Sequence, residues 1–178
     1  MLKTKLHVPD GPARYVPRPR LLDRLHGALR PGHRLTVLAA PAGYGKTALL
    51  SAWLAAEQSR SREVRVAWLS LDDGDNDVVR FWRGLIASLA ESLKRPDFAA
   101  ESLGVLQSPG PTRVDAIMAG VVNELADVVS PTVIALDDYH LIQAAAVHGS
   151  LSALIERLPP AVHIVLATRA EPPIGLAR

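Results

Sequence analysis

Apolar positions along the chain switch between two spacings. From Arg34 to Ala40 (RLTVLAA) they run almost unbroken and stop at Pro41, the pattern of a buried strand. From Gly45 onward the spacing turns helical, with Leu49, Leu50, Trp53 and Leu54 on one face. Val64 to Leu71 (VRVAWLSL) alternates like a strand, and an acidic run, DDGDND, follows it. Asp75 or Asn76 is placed there to cap the next helix. That helix carries Val78, Trp82, Leu85, Ile86, Leu89 and Leu93 on one stripe. Residues 95–111 hold Pro96, Pro109 and Pro111 and read as a loop with room for one helical turn. Ile117, Met118, Val121, Val122, Leu125 and Val129 mark another helix. Thr132 to Leu136 is a short apolar strand that ends in Asp137 and Asp138. Val147, Leu151, Leu154, Ile155 and Leu158 form a further helical stripe, and Val162 to Thr168 (VHIVLAT) is the last strand.

Strands and helices therefore alternate, and the strands are apolar on both faces. Such a pattern predicts an α/β fold: a three-layer sandwich of a parallel sheet between helices. Four strands are visible, where such folds usually have five. The chain stops ten residues past the fourth, so the core is expected to be clipped at its C-terminal edge. Ahead of the core, residues 1–20 contain Pro9, Pro12, Pro17 and Pro19 and read as an extended arm. A short helix is expected from Leu21 to Leu29. The expected division is an arm over 1–20 and a core over 21–178.

Composition narrows the options. The chain has 178 residues, 48% of them hydrophobic, which suits one globular domain. It has no cysteine, which excludes disulfides and thiolate metal sites. The formal net charge of +2 gives no polybasic surface, so this segment is not expected to bind DNA. The N-terminus is polar and proline-rich, unlike a signal peptide. No apolar run approaches the roughly 18 residues of a membrane span, and a cytoplasmic location is expected.

The chemistry is concentrated after the first strand. The sequence APAGYGKT, Ala40 to Thr47, matches G-x-x-x-x-G-K-[ST] except that alanine replaces the first glycine. It lies between a strand and a helix, as a phosphate cradle must, so the sandwich is read as a P-loop NTPase fold and the core over 21–178 as nucleotide-binding. Backbone N–H groups of Ala42 to Ala48 would point at anionic oxygens. Gly43 and Gly45 permit close approach and unusual dihedrals. Lys46 would reach the β- and γ-phosphates, and Thr47 would place its hydroxyl on Mg²⁺. Tyr44 takes a variable position, where it either shields the nucleotide or faces solvent. Ala40 sits where the strand ends, far enough from phosphate to tolerate its methyl.

Such a loop needs a partner acid at the end of an apolar strand, expected to lie beside the first. Asp137 fits as the magnesium acid, and Asp138 as the group that polarises the attacking water. Aspartate is short for that task, so hydrolysis is expected to be slow. Arg169 follows the last strand, where parallel strand ends gather at a ligand crevice, and is placed to touch the γ-phosphate. Other features read as structural. Trp53, Trp68 and Trp82 belong to the core. His140 follows the acids, but the histidines lack metal spacing. Arg14, Arg18, Arg20, Arg24, Arg30 and Arg34 are mostly solvated, and Asp72, Asp73, Asp75 and Asp77 read as a solvated loop and helix cap.

Taken together, VPRPRLLDRL, LTVLAAPAGYGKTALLSAWLA, VAWLSLDDGDNDVVRFWRGLIASL, VIALDDYHLI and LPPAVHIVLATRAEPP resemble a known family. It is the N-terminal ATPase module of the MalT-like large ATP-binding LuxR-family transcription regulators. These belong to the STAND class of signalling ATPases, with NACHT- and NB-ARC-like domains. The resemblance runs from about Leu2 to Arg178. It implies a switch in which ADP holds a closed monomer, and ATP with an inducer gives a self-associating form. It also implies that Val16 to Arg18 line the adenine pocket and that Arg169 is a sensor. Regulators of this kind continue into further C-terminal domains, which these residues do not include. The alternative is a stand-alone P-loop ATPase or small-molecule kinase, but residues 95–111 carry only Arg95 toward an arginine-rich lid. A helicase would need a second lobe, and a GTPase an N-K-x-D motif.

Overall fold

The computed structural model describes residues 3–9, 16–30, 32–107 and 113–175. Pro12, Arg14, Pro109, Pro111 and the stretch 176–178 lie outside the described residues. Four strands form one sheet: β1 (Leu35–Ala39), β2 (Arg65–Ser70), β3 (Thr132–Asp137) and β4 (Val162–Thr168). All pairings are parallel, and the order across the sheet is β1-β4-β3-β2. The helices are α1 (Pro19–Ala28), α2 (Lys46–Arg60), α3 (Val78–Leu93), α4 (Ala100–Gln107), α5 (Val114–Ala126) and α6 (Ala145–Arg157).

The strand order corrects one expectation. The acid strand β3 is not beside β1, because β4 lies between them. Burial explains the arrangement. Every residue of β3 and β4 is buried, while β1 is half-buried along most of its length. Strands apolar on both faces belong inside the sheet, and the more open one takes an edge. Periodicity marks which segments are strands; it carries no information about their order.

Alternation along the inner strands feeds two cores. Val133, Ala135, Val165 and Ala167 face α1 and α2, joining Leu50, Trp53, Leu54 and Trp68. Ile134, Leu136, Ile164 and Leu166 face α3 to α6, joining Phe81, Trp82, Leu85, Ile86 and Leu89. All three tryptophans are fully buried, as expected. Each fully buried Leu or Ile here contributes about 2 kcal/mol relative to exposure.

Local differences have local causes. α4 is a two-turn helix inside the stretch read as a loop. Tertiary contact stabilises it: Ser102 is buried against α5, where its Oγ donates to Ile117 O at 3.2 Å. Gly120 makes that approach possible, since a Cβ there would stand 2.2 Å from Ser102 Oγ. α5 ends at Ala126, so Val129 leaves the apolar stripe and is 91% exposed. The cap of α3 is Asp77, whose side chain accepts from Arg80 N, rather than Asp75 or Asn76. The arm is not extended throughout, because Lys3–Leu6 forms a 3₁₀ turn. α1 begins at Pro19, where proline's fixed φ suits a first helical position.

Candidate functional site

Because all four strands are parallel, the segments that follow them emerge on one side. Pro41 to Gly45 leave β1 exposed to solvent. Gly43 has φ +80° and Gly45 φ +75°, a region that side chains with a Cβ rarely enter. Gly45 is also the N-cap of α2 and has no side chain to cap with, so the first N–H groups of that helix remain open to a ligand. Ala40 continues the sheet, its N–H donating to Thr168 O at 3.2 Å. The loop proper starts after it, so the alanine in place of glycine is accommodated. Lys46 curls over the loop, and its Nζ donates to Ala40 O at 2.7 Å and Pro41 O at 3.1 Å.

Across the interposed β4 lies the acid loop. Asp137 ends β3 and is 3% exposed. Its Oδ2 accepts from Thr47 Oγ1 at 2.8 Å, and its Oδ1 accepts from Asp138 N at 3.0 Å. Burial raises the Asp137 carboxyl above its ordinary value; the Thr47 bond opposes this, and the Asp138 charge adds to it. Asp138 adopts φ +56°, uncommon outside glycine, with its side chain half-exposed. Arg169 stands just past β4, exposed, between the ends of β1 and β3.

His140, for which the histidine spacing gives no metal role, lies beside the acid pair. Neither of its buried ring nitrogens has a hydrogen-bond partner among the described residues. Its Nδ1 is 3.9 Å from Asp138 Oδ1. Burial holds its pKa below the ordinary value, and Arg169 and Lys46 push the same way against Asp138 and Asp137. The geometry itself places the ring beside the second acid. The sequence signal for it is position: two residues past the second acid.

A cavity of about 570 Å³ opens beside β1, lined by Arg18, Leu21, Arg24, Tyr44 and Lys46 among others. Arg18 comes within 3.9 Å of where a Cβ of Gly45 would sit. Tyr44 is 59% exposed and Val16 73% exposed. Of the residues expected at a nucleotide, Ala42, Gly43, Tyr44, Gly45, Lys46, Thr47 and Ala48 form the loop and first turn of α2. Arg18 adjoins them, and Val16 stands in solvent.

The model of one family, described as the AAA ATPase domain, matches residues 16–166. The chain belongs to the AAA ATPase domain family. The chain is similar to the HTH-type transcriptional regulator MalT of Klebsiella pneumoniae, at 33% identity over 177 residues, 99% of this chain. MalT of Vibrio parahaemolyticus is 33% identical over 176 residues. The chain spans 18% of the length of each of these relatives. The crystal structure of Cdc6p from Pyrobaculum aerophilum superposes with a TM-score of 0.58 at 18% identity, covering 96% of this chain and 43% of that one. That likeness supports the AAA ATPase fold seen here, a parallel sheet with helices on both faces.

In the acidic run after β2, Asp73 and Asp77 are exposed and Asp77 caps α3, as expected of a solvated loop and helix cap, but Asp75 is buried. Asp72 and Asp75 form a reciprocal capping box around a 3₁₀ turn, Asp73–Asn76. Asp75 is 2% exposed and paired with Lys5, which is itself buried, and with Arg80. Lys5 also reaches Asp72 at 3.1 Å. Burial opposes ionisation of Asp72, yet the Lys5 bond, the Gly74 N–H and Arg80 together hold its pKa below the ordinary value. The partner that makes this an interior network lies 70 residues earlier.

Proposed function

We propose that this AAA ATPase domain is a regulatory ATP switch that binds ATP with Mg²⁺ and hydrolyses it slowly. The observation that carries this reading is the bond between Thr47 Oγ1 and Asp137 Oδ2, which joins the phosphate loop to the acid strand. A hydroxyl and a carboxylate are the hard oxygen ligands that Mg²⁺ takes beside phosphate oxygens, so the donor set fits the metal. When bound, Mg²⁺ would neutralise charge on the β- and γ-phosphates.

The chain's own groups divide the remaining work. The N–H groups of Ala42 to Ala48 cradle the phosphates at the start of α2. Lys46 exchanges its carbonyl partners for β- and γ-phosphate oxygens. Asp138, half-exposed and fixed by its neighbour, polarises the attacking water. His140, with unpaired nitrogens inside the site, bonds that water or a γ-phosphate oxygen. Arg169 meets charge that develops on the γ-phosphate and signals its presence. Arg18, Tyr44 and the cavity beside β1 take the base and sugar, with Val16 closing over them.

The regulatory half of the reading draws on likeness to regulators named MalT. In a chain of that kind this domain, with its core over residues 21–178 and its arm over 1–20, would rest with ADP. With ATP it would self-associate or act on C-terminal domains beyond these residues. DNA binding would belong to those domains rather than to this segment. None of the described helices is long and apolar enough to cross a membrane, which agrees with a cytoplasmic regulator. Thermal melts with Mg²⁺ and ATP, ADP or GTP test the reading. Adenine nucleotides at about 100 times their dissociation constant should add roughly 2.7 kcal/mol, and GTP less. Equal stabilisation by GTP would sink the adenine assignment, and no stabilisation by any nucleotide would sink the whole reading.

A further inference from the structure

Asn76 lies outside both the phosphate loop and the acid pair, yet it ties two loops together. It closes the 3₁₀ turn after β2. Its Nδ2 donates to Asp73 O at 3.0 Å and to Leu141 O at 2.9 Å. Its Oδ1 accepts from Gln143 N at 2.6 Å and Ala144 N at 2.9 Å. A carboxamide has two N–H donors and two lone pairs, so this side chain is used to capacity. Three of its four bonds go to residues 141–144, the segment that leads from the acid pair into α6.

Both ends of the link are anchored. On the β2 side, the turn is fixed by the Asp72–Asp75 capping box and by the buried Lys5–Asp75 pair, while Arg80 pairs with it from the half-exposed side. On the β3 side, the segment begins at Asp138, whose left-handed backbone costs on the order of 1 kcal/mol and persists only if its surroundings hold it. Leu141 N donates to Asp138 O at 3.0 Å, while Asn76 holds Leu141 from its carbonyl side. Without that grip, the turn that carries Asp138 and His140 loses its anchor at Leu141.

We propose that Asn76 is a positioning residue for the nucleotide reaction: it fixes the path of residues 141–144 and thereby the placement of Asp138 and His140. The inference rests on the reading of this chain as an ATP-hydrolysing domain. It separates two quantities that a merely structural role would move together. Nucleotide affinity resides in the phosphate loop, which Asn76 does not touch, whereas turnover requires the acid loop to be in register.

The test compares the wild-type chain with Asn76→Ala, Asn76→Asp and Arg80→Ala. Binding is read with a fluorescent ATP analogue, turnover by single-turnover hydrolysis, and stability by thermal melting. Asn76→Ala should keep its dissociation constant within about threefold. Its hydrolysis should fall on the order of 10- to 100-fold, as small misplacements of catalytic groups do. Asn76→Asp keeps the acceptor for Gln143 and Ala144 but loses both donors, and should fall between. Arg80→Ala removes ion pairs from the same turn without touching 141–144, and should lower the melting temperature while keeping the rate. The inference is overturned if Asn76→Ala binds ATP and hydrolyses it at the wild-type rate, or if Arg80→Ala slows hydrolysis equally. It is also overturned if the wild-type chain binds ATP and never turns it over. If Asn76→Ala does not fold, Asn76→Asp against Arg80→Ala decides in the same way. A wild-type chain with no affinity for ATP refutes the reading of the site itself, and this inference with it.

Discussion

The phosphate loop and the acid loop face each other across β4 and are held by different means. The phosphate loop is held mostly from within, with distant bonds at its two ends, Ala40 to Thr168 and Thr47 to Asp137. Residues 40–47 take their shape from two glycines, a proline and the start of α2, and Lys46 bonds only five and six residues back. The acid loop is held at long range. Asn76 fastens residues 141–144 from 65 to 68 positions away, and Lys5 anchors the turn that carries Asn76. Affinity for phosphate can therefore survive damage to the rest of the domain's contacts, while the geometry of the acids depends on several of them at once.

Substitutions can break or sharpen that contrast. Lys46→Ala should have the largest effect. Losing the one loop cation should cost about 3 kcal/mol of nucleotide binding or more, a fall of about 100-fold, with the melting temperature little changed. Calorimetry with ATP and Mg²⁺ measures it, and unchanged affinity would remove the phosphate loop from the site. Lys5→Ala should act in the opposite sense. It leaves Asp75 buried with Arg80 as its remaining cationic partner, and should cost about 3 kcal/mol of stability. ATP affinity should hold for the fraction that stays folded, and a chemical denaturation series reads the difference. Gly45→Ala is smaller, about 1–2 kcal/mol for forcing a Cβ into φ +75°. It should weaken ATP binding as well, because the strain falls on the cradle.

The smallest effect expected is on pH dependence. His148 is buried and bonded to the Tyr139 hydroxyl at 2.8 Å, beneath the acid loop. Burial lowers its pKa from the ordinary 6.5. The fold thus favours the neutral ring, and the stability it contributes is present above 6.5 and lost as pH falls through the lower folded-state value. His148→Gln should shrink the drop in melting temperature on acidification. His140 and His163 are shifted the same way and will leave part of the slope in place. An identical slope in the variant would show that His148 contributes nothing to it.

The same contrast explains what the sequence made legible. APAGYGKT is a contiguous motif whose geometry depends on its own residues, so the structure places it where the pattern puts it. Asp137 was readable as the last residue of an apolar strand. Its separation from β1 was not, because strand order depends on which edge a crossover chooses. Asp75 was misread as solvated because charge patterning sees neighbours along the chain, and Lys5 is far along it. His140 was set aside because its role comes from what surrounds it rather than from any spacing with other histidines. α4 was missed because its support comes from Gly120 and Ile117 on another helix.

The interposed strand also sets a width. Neighbouring strands lie about 4.8 Å apart, so placing β4 between β1 and β3 holds their ends about 10 Å from each other. No backbone bond of the sheet spans that distance directly. Among the described residues, the side-chain bond from Thr47 on α2 to Asp137 on β3 crosses the span. The sheet therefore determines how wide the cleft is, and the helix determines whether its two walls are joined. A change in the seating of α2 would alter the junction without bending a single strand.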